Sequence, residues 1–157
     1  MVSESLPLEP EFLQSLTRIF EEGIVFNRTL GLKITSIQAH EVRASIEMRN
    51  ELVGHYSYNR IHGGVISAGL DAMGGLAVMA AIGARHRHES IESRLQRFAK
   101  LGTIDLRVDY LRPGIGEHFG LRAEVMRLGS RVASTRMEFL AADGKLLSTG
   151  SAAYIVS

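Results

Sequence analysis

Apolar side chains at Phe12, Leu13, Leu16, Ile19 and Phe20 recur at helical spacing, which predicts a helix over 9–22. Pro10 suits its first turn and Gly23 its end. Residues 30–38 and 41–49 read as two strands around a short polar turn. In the second, Val42, Ala44, Ile46 and Met48 alternate with Glu41, Arg43, Ser45 and Glu47. From Gly64 to about Ala84 the chain reads as one long helix, with Arg85 and Arg87 where the helix dipole favours positive charge. Residues 88–101 are of mixed charge and show no clear period. Four strand-like runs follow, at 103–111, 118–128, 131–141 and 145–156. In the first, Ile104, Leu106, Val108 and Tyr110 alternate with Thr103, Asp105, Arg107 and Asp109. Arg112-Pro113-Gly114 ends that run, and Asp143-Gly144 is a strong hairpin turn between the last two.

The order is a short helix, two strands, one long helix and four strands. It predicts an α+β fold with an antiparallel sheet. The long helix is apolar nearly all round, so it must be buried. A curved sheet wrapped around it is the economical packing. A length of 157 residues suits one domain over 1–157, with residues 1–27 as an N-terminal helical extension.

Composition narrows the function. Hydrophobic residues at 45% and charged residues at 22% support a core and exclude global disorder. A net charge of +1 argues against a nucleic-acid partner. The absence of cysteine removes disulfides, a thiol nucleophile and thiolate metal sites. The N-terminal residues lack a basic region followed by an apolar block, so a secretory signal is not expected and the cytoplasm is. The stretch 65–82 is long and apolar, but it carries Asp71 and three glycines. A central Asp costs roughly 2.5–3.5 kcal/mol on insertion, so a buried helix is expected and a membrane span is not.

Asp71 is the informative residue. Its helical neighbours are Ser67, Ala68, Gly74 and Gly75, all small. Two readings fit. The glycines permit close packing while the carboxylate bonds a nearby backbone amide, or the carboxylate faces a cleft. His62-Gly63-Gly64 opens the same helix. It is either a simple turn or a backbone site for an anion or a developing oxyanion. Gly64 and Asp71 lie roughly 10 Å apart along one helix, too far to share a carbonyl comfortably. Two antiparallel copies would bring them together in a homodimer with composite sites.

The stretch His62-Gly63-Gly64-Val65-Ile66-Ser67-Ala68-Gly69-Leu70-Asp71 resembles the signature of hotdog-fold acyl-CoA thioesterases of the PaaI-like type. Thr103 to Pro113 resembles the strand that follows in that family. The resemblance implies a hotdog fold, a dimer that often assembles into a tetramer, and hydrolysis of acyl-CoA to a free acid and CoA. No cofactor is implied beyond the CoA of the substrate, and no metal. It implies Asp71 as catalytic carboxylate, as base or nucleophile. It implies Gly64 as oxyanion donor, with Gly63 as an alternate, and Thr103 as holder of the attacking water. His62, Gly63, Asn59, Ser67, Ala68 and Gly75 are the expected substrate contacts, His62 chiefly as support for its loop. Relatives often carry Asn six residues before the motif His and Gly three before it; here these are Tyr56 and Asn59. Asn59 can replace the Gly in a left-handed turn. Gly54-His55-Tyr56-Ser57-Tyr58 resembles a subgroup acting on medium- and longer-chain acyl groups.

Arg85, Arg87, Arg94, Arg97 and Lys100 read either as a solvated segment or as contacts to CoA phosphates, with Arg94 and Arg97 the expected contacts. The remaining histidines show no metal-ligand spacing. Two rivals stand beside hydrolysis: a hotdog dehydratase pairing His62 with Asp71, and a non-catalytic acyl-CoA-binding module.

Overall fold

The computed structural model describes residues 6–157, so the first five residues of the expected extension lie outside the described residues. Helix α1 (Pro10–Arg18) begins at a proline and buries Phe12 and Leu16. It runs into a wide turn over Ile19–Gly23, in which the amide of Ile24 reaches back to the carbonyl of Ile19. A further short helix, α2 (Val25–Leu30), ends at Gly31, whose φ of 71° is left-handed. Part of the expected first strand is therefore helix.

Strands β1 (Lys33–Ile37) and β2 (Glu41–Glu47) form the first hairpin. A small hairpin, β3 (Val53–His55) with β4 (Tyr58–Ile61), comes next. Asn59 lies within β4, and no non-glycine residue among those described has positive φ. The expectation of a left-handed turn there is corrected: strand pairing, not a tight turn, sets this backbone.

Helix α3 (Gly63–Arg85) is the long central helix. It passes the length and hydropathy test for a membrane crossing, yet 67% of its apolar window is buried inside the fold. Helix α4 (Ile91–Gln96) and a tight turn over Arg97–Lys100 fill the stretch without a period; Ser90 caps α4 by accepting from the amide of Ser93. Strands β5 (Gly102–Tyr110), β6 (His118–Leu128), β7 (Val132–Ala141) and β8 (Leu146–Ile155) complete one antiparallel sheet, ordered β1-β2-β6-β7-β8-β5.

The alternation read in β2 is realised. Val42, Ala44 and Ile46 face the core. On the opposite face, Arg122 in β6 meets Glu41, Glu124 and Glu138 on its own and flanking strands, a solvated ladder of charge. The inner face packs on α3 through Leu121, Met137, Phe139 and Ala152. The sheet curves around the helix, as the hotdog resemblance implies.

The register shifts at several places in the sheet, and one of them bears on the site. β5 pairs Thr103 with Tyr154 but Asp105 with Ala153, so Ile104 is an extra residue in the ladder. Ile104 is left exposed, and Thr103 faces the same way as Tyr154, toward α3.

Candidate active site

The centre of the site is Asp71, half-buried in the middle of α3. Thr103 Oγ1 donates to Asp71 Oδ1 at 2.9 Å. The bulge at Ile104 makes this contact possible, since regular pairing would point Thr103 away from the helix. Tyr154, on β8, is 2% exposed. Its hydroxyl donates to the main-chain oxygen of Asp71 at 2.8 Å and lies 3.1 Å from Oδ1. Burial raises the phenol's pKa well above the ordinary tyrosine value, and the neighbouring Asp71 carboxylate raises it further. Tyr154 is therefore a fixed donor. Among the described residues nothing donates to Asp71 Oδ2, so one carboxylate oxygen is held and the other is available for chemistry.

Beside Asp71 is a cavity of about 270 Å³, walled by Phe20, Ile24, Phe26, Asn27, Ala68, Ala72, Gly75, Phe98 and Leu101, with Thr103 and Tyr154. Of the four small residues around Asp71, two open this space and two do not. Ala68 and Gly75 line it. A β-carbon on Gly75 would meet nothing closer than Leu101 Cδ2 at 3.5 Å. Gly74 instead makes room for the Tyr154 hydroxyl. Ser67 turns its hydroxyl back to the carbonyl of Gly64 at 3.1 Å.

The helix start also differs from expectation. His62 is the N-cap of α3, and its Nδ1 accepts the amide of Gly64 at 2.7 Å. The amide expected to polarise a carbonyl is thus already bound. Among the described residues, the amide of Gly63 has no partner and sits at the same positive helix end. At this helix end the Gly64 amide is therefore taken up by His62, and the amide left free is that of Gly63. Tyr110 donates to the carbonyl of Gly63 at 2.8 Å and fixes that peptide. Gly63 lines a second cavity, about 410 Å³, with Arg60, Tyr110 and Arg112. His62, with Nδ1 committed to its cap, does not pair with Asp71 within one chain. Asn59 projects from the exposed β3–β4 hairpin and lines neither cavity.

Two basic residues are corrected outright. Arg94 is 1% exposed. It donates to Glu9 at 2.8 Å and to the carbonyl of Gly83 at 2.9 Å, with its guanidinium over Phe12. It ties α1, α3 and α4 together and is not available to a phosphate. Arg97 is bound by Glu89 at 2.6 Å and lies at the far end of α3, near His86, away from the Asp71 cavity. Glu89 is held below the ordinary carboxylate range, first by its hydrogen bond from Arg97.

The fold also gathers His86, His88 and Glu89, with ligand atoms within 4.8 Å of one another. Spacing in sequence did not reveal this cluster. The Arg97 guanidinium already occupies its carboxylate, and Arg85 and Arg87 flank it in the chain, so its charge does not suit a cation.

Three residues escaped sequence reasoning. Tyr154 carried no signal beyond strand alternation. Arg60 was visible only as a charge just before the first motif, and Arg112 only as part of the second, with no role given to either.

Comparison with known proteins identifies the family and the fold. The thioesterase superfamily family matches residues 58–148. The medium/long-chain acyl-CoA thioesterase YigI of Escherichia coli K12 is 33% identical over 144 residues, covering 92% of this chain and 93% of that protein. A Shewanella oneidensis crystal structure related to the thioesterase superfamily superposes with a TM-score of 0.88 at 38% identity, covering 94% of this chain and 96% of that one. Zebrafish thioesterase superfamily member 2 shares the fold, with a TM-score of 0.73 at 19% identity over 98% of this chain and 100% of that one.

Proposed function

The chain belongs to the thioesterase superfamily and is a thioester hydrolase, and from that premise we propose that its substrates are medium- to long-chain acyl-CoA thioesters in the cytoplasm. The observation that carries this reading is Asp71, oriented through Oδ1 by Thr103 and Tyr154, opening through Oδ2 onto an apolar cavity. The name of the Escherichia coli relative supports the acyl range.

The chemistry follows from which atoms are free. Thr103 donates its proton to Asp71, so its oxygen still accepts, and a water placed there lies next to Oδ2. Asp71 takes a proton from that water as general base. The resulting hydroxide adds to the thioester carbonyl. The amide of Gly63, at the positive end of a helix, receives the developing oxyanion. The tetrahedral intermediate collapses, the C–S bond breaks, and Asp71 returns its proton to the thiolate. Ala68, Ala72, Gly75, Phe20 and Phe98 enclose the acyl chain.

Gly63 and Asp71 of one α3 are about 12 Å apart along the axis, so one chain cannot present both to one carbonyl. β5 is an edge strand, hydrogen-bonded on its β8 side alone among the described residues, with Ile104, Tyr110 and Leu111 exposed beside it. Pairing of two β5 edges sets two α3 helices antiparallel and completes two sites in a homodimer. The cavity of Arg60 and Arg112 beside Gly63 then takes the CoA end, in place of Arg94 and Arg97.

The test is release of free thiol from an acyl-CoA chain-length series, with Asp71→Ala as control. The folded variant loses at least about a hundredfold in kcat, in line with general-base removal. Near-native turnover by that variant defeats the assignment. A change in double-bond absorbance without thiol release identifies a dehydratase, and neither signal identifies a binding module.

A further inference from the structure

Resting on that hydrolase reading, we propose that the acyl cavity is built for chains bearing a hydroxyl, which donates a hydrogen bond to Oδ1 of Asn27. Asn27 lies in α2, is 2% exposed, and lines the same cavity as Asp71. Its main-chain groups and one of the two Nδ2 hydrogens are in use. The main-chain amide donates to Ile24 O at 3.0 Å, and the main-chain oxygen accepts from Leu32 at 3.2 Å. Nδ2 donates to Phe20 O at 2.9 Å. That carbonyl is free to accept because the wide turn over Ile19–Gly23 sends the amide of Ile24 to Ile19 instead.

The bond to Phe20 O also fixes which way the carboxamide points. Reversing it would set Oδ1 against a carbonyl oxygen, two acceptors without a proton. Oδ1 is therefore the acceptor left over. No described residue donates to it, and it is not sealed within the protein. An acceptor that no protein group satisfies is left for a donor entering the cavity, and a cavity meant only for methylenes has no use for one. The wall around Asn27 is mostly apolar, with Phe20, Ile24, Ala72, Gly75, Phe98 and Leu101, and the hydroxyls of Thr103 and Tyr154 in the same cavity donate to Asp71.

Geometry sets where on the chain the hydroxyl belongs. Gly75 lies one helical turn, about 6 Å, beyond Asp71. The Phe20 ring passes 3.7 Å from the position of a Gly75 β-carbon. Asn27, held on the Phe20 carbonyl, is thus met past the first carbons after the thioester.

The experiment compares kcat/KM of the full chain for acyl-CoAs of equal length: unsubstituted, hydroxylated at successive carbons, and carrying an oxo group at the same carbons. The oxo group matches the hydroxyl in size but accepts only. The expected result is a preference of roughly three- to tenfold for the hydroxyl over both partners at one or two distal positions, the yield of one added neutral hydrogen bond. In Asn27→Leu that ratio falls to one or inverts. Equal rates across the three sets overturn the proposal, as does a preference that survives in the folded variant. If Asn27→Leu does not fold, the hydroxyl-against-oxo ratio of the native chain decides alone. If the folded native chain hydrolyses none of the thioesters, the hydrolase reading fails separately. Calorimetry of the free hydroxy and oxo acids then reads Asn27 without turnover, and equal affinities overturn it.

Discussion

The hydroxyl of Tyr154 occupies the space that a β-carbon on Gly74 would need. The catalytic candidate Asp71 thus owes one of its two orienting contacts to a glycine three residues later in its own helix. Gly74→Ala should drive the phenol from Asp71 and strain the core by about 1–3 kcal/mol. The expected outcome is a lower Tm and at least a tenfold fall in kcat. Gly75→Ala meets only ordinary contacts and should instead reduce turnover of the longest chains. Thermal melts and thiol release on both variants check this. Equal effects from the two glycines would show that Tyr154 does not matter to the site.

The same phenol fixes a pH dependence of stability. Its pKa is raised in the folded state by burial and by Asp71, against an ordinary value of 10.0. Below that value both states hold the proton, and the contribution is whole. As pH rises past it, the unfolded chain loses the proton while the folded one keeps it, so stability falls with rising pH. Urea midpoints taken from about pH 8 to 11 should decline, and Tyr154→Phe should decline less steeply. Parallel curves for the two proteins would contradict the assignment.

Arg94 makes a prediction opposite to that of a ligand contact. Its partner Glu9 is more than a third exposed, so the ion pair itself is partly screened; the contact with Phe12 and the bond to Gly83 are not. Arg94→Met should lower the Tm by several degrees with KM for acyl-CoA unchanged. Arg60→Gln, on the rim of the cavity at Gly63, should raise KM with the Tm unchanged. Reversal of the two phenotypes would return Arg94 to the CoA site.

How far the sequence carried these conclusions depended on whether a feature was periodic. Val42, Ala44 and Ile46 announced a half-buried strand, and the even apolarity of α3 announced its burial. The Thr103–Asp71 bond was not readable from alternation, which set Thr103 on the face of Asp105 and Arg107. One extra residue at Ile104 reverses that, and bulges leave no periodic trace. Resemblance named Thr103 where pattern would have discarded it. Arg94 misled for a related reason: a charge in a mixed-charge run looks solvated until the fold sets Glu9, far away in sequence, against it. The exchange of Gly64 for Gly63 turned on a side chain, since only the position of the His62 ring shows which amide is already bound.

That last exchange allows a clean test of the shared site. Gly63 is the first residue of α3, a position that tolerates proline, and His62 has φ −66° and ψ 135°, a conformation that accepts a following proline. Gly63→Pro therefore removes one amide proton with little cost to the helix. Tyr110, 3.3 Å from the new β-carbon, is exposed and can shift. Loss of an oxyanion donor should reduce kcat by about a hundred- to a thousandfold. Gly64→Pro should cost mainly stability, through the lost bond to His62. The Gly63→Pro homodimer and the Asp71→Ala homodimer are then each inactive. In a mixed dimer built on antiparallel helices, one site carries both lesions and the other carries neither. Subunit exchange, followed by native mass spectrometry, should therefore restore activity toward one working site per heterodimer. If Gly63 and Asp71 served one site from one chain, every site in the mixture would keep a lesion. Confirmed exchange without recovery would refute the composite site.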